Sequence, residues 1–113
     1  MSSDALVVGV SALHVGFFLM ESVFWMTPTV RSIFRNREEK AKTTRVLALN
    51  QGVYNLGTAA LLMYFRSSAN EDAVDAMLGF VIAMGVVGAL TASRAIFVVQ
   101  SIPAILALAL RRQ

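Results

Sequence analysis

The sequence predicts an all-α protein, a bundle of four transmembrane helices, and three observations carry that prediction. The first is composition: 57% of the 113 residues are apolar and mean hydropathy is +0.65, against roughly 45–50% apolar residues in ordinary soluble domains. The second is segmentation, because the apolar residues fall into long runs parted by short charged stretches. The third is charge placement. Six of the ten basic residues (Arg31, Arg35, Arg37, Lys40, Lys42 and Arg45) share one segment between two apolar runs, where the positive-inside rule puts cytoplasmic loops.

The length fits a single integral membrane domain spanning residues 1–113. There is no cysteine, which excludes disulfides, thiolate metal sites and cysteine nucleophiles. A pI near 10.0 would suggest nucleic acid for a soluble chain. Here the basic loop accounts for it, and the partner expected is the lipid bilayer, with no nucleic acid.

The first helix is expected over about 5–26. The residues before it lack the basic stretch of a signal peptide, so it reads as a retained span. It ends at Thr27-Pro28, since proline disfavours helix at the residue before it, with Phe24 and Trp25 at the interface. The second helix, about 46–65, closes on Tyr64 and Phe65 before Arg66. A polar connection, 66–75, holds three acids and one base. The apolar stretch from Ala76 to Leu110 then exceeds one span of roughly 20 residues. It divides at Ser93-Arg94 into helices of about 72–92 and 95–110, with a mild kink at Pro103. The alternative extends the third helix to about Gln100 and starts a short segment at Pro103. With loop 27–45 cytoplasmic, both termini lie outside. Arg111 and Arg112 then oppose the rule and are outvoted by the six-base loop.

Glu21 is the most informative single residue, because an acid at the centre of a membrane helix costs roughly 2.5–3.5 kcal/mol on insertion scales. Ser11, His14, Phe18, Glu21 and Trp25 recur at 3-4-3-4 spacing, which makes one seam. On the second helix, Asn50, Gln51, Tyr54, Asn55 and Thr58 fall within an arc of roughly 140° at about 100° per residue. The opposite face carries Val46, Leu49, Val53, Leu56 and Met63. The third helix is a packing helix, with small pairs at Gly79-x3-Ala83, Gly85-x3-Ala89 and Gly88-x3-Ala92 that let backbones approach. The simplest assembly turns the seam and the arc toward each other, with Arg94 and Gln100 reaching the same zone. That predicts a polar pocket open to the cytoplasm.

These residues also carry a resemblance. His14…Glu21-x3-Trp25-x2-Pro28, Leu47-Ala-Leu-Asn-Gln-Gly-Val-Tyr-Asn55, Gly88-Ala-Leu-Thr91-x-Ser-Arg94 and Gln100-x2-Pro-Ala104 resemble domain of unknown function 1304. That family comprises small bacterial integral membrane proteins with four predicted helices. The first loop departs from the family pattern, with Thr27-Pro-Thr-Val30 in place of a Lys-Pro-Arg-Gly-like run. The resemblance implies a four-span bacterial membrane protein and no particular activity.

Three functional classes fit the residues. A structural or accessory membrane subunit, in which buried polar groups fix helix register, ranks first. A proton-linked small-solute transporter or binding protein comes next, with Glu21 and His14 exchanging protons. Four short helices enclose little volume, so that reading requires a homo-oligomer. A membrane enzyme on a lipid or isoprenoid, with Glu21 and His14 as acid–base pair, ranks third, so the balance leans away from an enzyme. Both of the latter imply a small hydrophobic or amphiphilic ligand. One His and one Glu are too few for a metal centre, and no cofactor motif such as Gly-x-Gly-x-x-Gly or a Walker loop is present. The candidate polar site is therefore His14, Glu21, Asn50, Gln51, Tyr54, Asn55, Arg94 and Gln100.

Overall fold

A computed structural model describes residues 2–112, and every regular element among them is helical. Helix α1 (Ser3–Phe18) runs into a π-helical turn, Leu19–Val23. Two short helices follow, α2 (Pro28–Ile33) and α3 (Glu38–Thr43), then α4 (Arg45–Ser67) and α5 (Glu71–Thr91). A short α6 (Arg94–Ile96) passes through a second π-helical turn, Phe97–Ser101, into α7 (Ile102–Arg111). Three stretches, Ser3–Val23, Glu71–Thr91 and Arg94–Arg111, are long and apolar enough to cross a membrane. Helix α4 has the length, at 23 residues, but Asn50, Gln51, Tyr54 and Asn55 dilute its apolar content and it is not among the three.

Local chemistry sets the boundaries. The Asn70 side chain caps α5 by accepting from the Ala73 N–H at 3.2 Å, and Ser93 caps α6 by accepting from the Ala95 N–H at 3.2 Å. Pro103 is expected to kink its helix. At this place the chain widens the preceding turn, where the Ile102 N–H donates to the Phe97 carbonyl. Proline has no N–H, and its ring would strike the carbonyl four residues back, that of Val99. Inserting one residue into the turn takes up that mismatch.

Residue contacts divide the described chain into two compact units, 2–13 with 59–112, and 14–58. The core of the first unit joins Val7 and Val10 of α1, Leu62 of α4, Val74, Leu78 and Val81 of α5, and Ala104 and Ala107 of α7. Val74, Leu78, Val81 and Gly85 make one buried stripe on α5. A side chain at Gly85 would strike Ser101 and one at Gly88 would strike Ile96, whereas one at Gly79 would meet nothing. Close approach therefore uses Gly85 and Gly88, not all three expected small pairs. At the ends of these helices Arg66 forks onto Asp4 at 2.7 and 2.8 Å. Arg111 bonds Asp75 at 2.9 Å and Glu71 at 2.7 Å.

The second unit holds the basic segment. The Trp25 indole N–H donates to the Ala41 carbonyl at 2.9 Å, and its ring lies 5.1 Å from that of Phe34. Val30 and Ala41 are buried beneath the short helices. Thr27 caps α2 by accepting from the Val30 N–H. Most of the segment's charges are exposed, while Arg31 is half-buried and its Nε donates to the Met26 carbonyl at 3.3 Å.

Candidate functional site

The site grows from the π-helical turn that ends the first long helix. There the Phe24 N–H donates to the Leu19 carbonyl, five residues back, at 2.8 Å. Such turns insert an extra residue into a helix and are frequent at functional positions. Glu21 sits at the middle of this one. Its Oε1 accepts from the Asn55 Nδ2 at 2.5 Å. Asn55 is buried, so α4 commits one amide to the carboxylate.

The neighbouring residue fixes how close the two helices come. Ser22 Oγ donates to the Leu49 carbonyl at 2.8 Å, and a Cβ on Gly52 would collide with the Ser22 side chain and backbone nitrogen. Only glycine fits there. Leu49, Gly52 and Asn55, three residues apart, therefore form a ladder that meets Ser22 and Glu21. Beside it opens a cleft of about 400 Å³ bordered by Glu21, Ser22, Trp25, Met26, Arg45 and Val46, among others. It combines one carboxylate with one guanidinium, and Arg45 has no ion-pair partner among the described residues.

The other expected site residues differ in their surroundings. His14 is buried, 1% exposed, with its ring edge-on to Phe17 at 5.2 Å. The five-residue arc on α4 does not turn inward as a set: Asn50, Gln51 and Tyr54 are exposed, Tyr54 to 75%, and only Asn55 is buried. The reason is packing. The buried stripe of α4 is Ala48, Gly52, Asn55, Ala59 and Leu62, a row of mostly small residues that overlaps the polar arc at one edge. Arg94 is exposed at the start of α6, and Gln100 is half-buried in the second π-helical turn. Both belong to the other unit. Among the described residues no group of three or more His, Asp or Glu side chains gathers to hold a metal.

Of four further residues that matter here, three carry weak sequence signals. Ser22 looks like any small residue in an apolar run, Trp25 like an interfacial aromatic, and Arg45 like a topology charge. Gly52 is the exception, a glycine inside a helical pattern, which points to close backbone approach.

The first unit contains the same contact. Ser101 Oγ donates to the Ile82 carbonyl at 3.0 Å, and a Cβ on Gly85 would collide with Ser101. In both units a serine from a π-helical turn covers a glycine and bonds the carbonyl three residues before it. Only the 14–58 unit adds a carboxylate and a buried amide.

Neither a curated protein nor a solved structure matches this chain. Residues 8–111 match the model of the family described as Protein of unknown function (DUF1304), and the chain belongs to that family.

Proposed function

We propose that the chain is a four-span protein of the cell membrane that acts as a structural or accessory subunit, its Glu21–Asn55 bond serving as the register pin between the first and second spans. One observation carries this reading: the acid within the apolar Ser3–Val23 stretch is committed to a buried amide on α4. A partly buried polar pair of this kind specifies which helices meet and at what height. In this reading α4 is the fourth span, with Asn55 turned to Glu21 and the apolar stripe of Leu49, Val53 and Leu56 in lipid. Segment 27–45 lies in the cytoplasm and both termini outside. That orientation places seven basic residues inside and three outside. The three outside, Arg66, Arg111 and Arg112, each have an acidic partner.

The test separates the hydrogen bond from the charge. Glu21→Gln retains an acceptor for Asn55, so it should keep the melting temperature and membrane abundance of the parent, whereas Glu21→Leu should lower both. If Glu21→Gln instead left a stable protein without its cellular phenotype, the charge itself would be in use and the accessory reading would fail.

The cleft favours a second reading, a binding protein for a small amphiphile whose head group meets Glu21 and Arg45 while its chain lies along Val46 and Met26. Native mass spectrometry of the purified protein checks it. A specific adduct lost in Arg45→Gln supports binding, and bulk lipid alone in both proteins speaks against it.

A further inference from the structure

Around α4 the exposed side chains fall into two outward stripes. Leu49, Val53 and Leu56 make one, entirely apolar. Leu47, Asn50, Tyr54 and Gly57 recur at 3-4-3 spacing and make the other, with Gln51 alongside. All five of these are exposed. Among the described residues, the side chains of Asn50, Gln51 and Tyr54 enter no hydrogen bond. A Cβ on Gly57 would meet nothing within 4 Å. The apolar stripe suits lipid. The polar stripe does not, because hydrocarbon offers amide and phenol groups no partner.

We infer that the Leu47–Asn50–Tyr54–Gly57 stripe is the seam of a parallel homodimer, in which each of these residues meets its own counterpart in a second copy. This inference rests on α4 being a membrane span. A side-chain amide carries both donors and an acceptor, so Asn50 is complementary to another Asn50 across a two-fold axis. The two copies are parallel because the same basic segment orients both. The 3-4 repeat is the spacing at which two helices wrap, and one polar residue on it fixes register. Gly57 lets the backbones come close below that point.

The chain has no cysteine, so single cysteines can be placed without background. Leu47→Cys, Tyr54→Cys and Gly57→Cys mark the polar stripe, and Val53→Cys marks the apolar one. The full chain is expressed in cells and oxidised with copper phenanthroline in isolated membranes. The expected result is a band at two chain masses for Tyr54→Cys and Gly57→Cys, several-fold stronger than for Val53→Cys. Excess cysteine-free chain should compete it away. Adding Asn50→Leu with Gln51→Leu to Tyr54→Cys should reduce the band several-fold. Equal cross-linking at Val53→Cys overturns the seam, as does a product of another mass, which would mean that a different protein covers the stripe. Resistance to alkaline carbonate extraction tests the span separately. Release from the membrane removes the span and the seam together, whereas retention without cross-links at the polar stripe removes the seam alone.

Discussion

The two units of this chain use one packing device and differ in what is built upon it. In the 14–58 unit Ser22 covers Gly52 and bonds the Leu49 carbonyl; in the other, Ser101 covers Gly85 and bonds the Ile82 carbonyl. Three residues beyond the glycine the units part. Gly85 is followed by Gly88, on which Ile96 packs, while Gly52 is followed by Asn55, which binds Glu21. The serine–glycine contact is therefore a general way of seating one helix on another. The carboxylate and amide are the added feature of one unit, and a functional account of this chain concerns them first.

That comparison is open to breakage at each level. The largest effect is expected at the glycines. Gly52→Val and Gly85→Val both force bulk against a serine whose own backbone stands in the way, which should cost about 3 kcal/mol, the upper end of overpacking. Melting in detergent checks it, and near-equal losses would establish the two contacts as equivalents. Next comes Asn55→Leu, which leaves the Glu21 carboxylate without its amide and should cost about 1–3 kcal/mol. Gly88→Ala, the matching position in the other unit, crowds only the Ile96 side chain and should cost less than Asn55→Leu in the same assay. Smaller again are Ser22→Ala and Ser101→Ala, each losing one hydrogen bond worth about 0.5–1.5 kcal/mol net. Ser101 is wholly buried and Ser22 is not, so Ser101→Ala should cost more. The smallest is Asp4→Asn. Its pair with Arg66 lies at the surface, where screening by water leaves little net gain, so no shift in melting temperature is expected at moderate salt.

The helical class was legible because apolar runs of span length allow little else, and three of them are long and apolar enough to cross a membrane. Glu21 was legible as an oddity because a charge in such a run is costly. Its partner was only half legible. The polar arc on α4 named five residues, and just one of them, Asn55, receives the carboxylate. Periodicity tells which side chains share a face, but the face that packs is chosen by size as well as polarity. Here it is chosen by Ala48, Gly52 and Ala59, whose small side chains give almost no hydrophobic signal. The same limit hid Ser22. The first π-helical turn was not legible, since nothing in Leu19–Val23 marks it, whereas the second lies just before Pro103, which signals that the helix must yield there. Segment 27–45 read as a charged loop because its short helices are held by Trp25 and Ala41 and not by an apolar stripe of their own.

Trp25 is the only tryptophan in the chain, and it borders the cleft while its indole N–H is bonded to Ala41. Intrinsic fluorescence excited at the red edge therefore reports on a single place. An occupant entering beside Glu21 and a basic segment lifting off Ala41 would both alter that emission, the first by displacing water from the ring and the second by exposing it. The protein thus carries its own optical probe beside the Glu21 carboxylate.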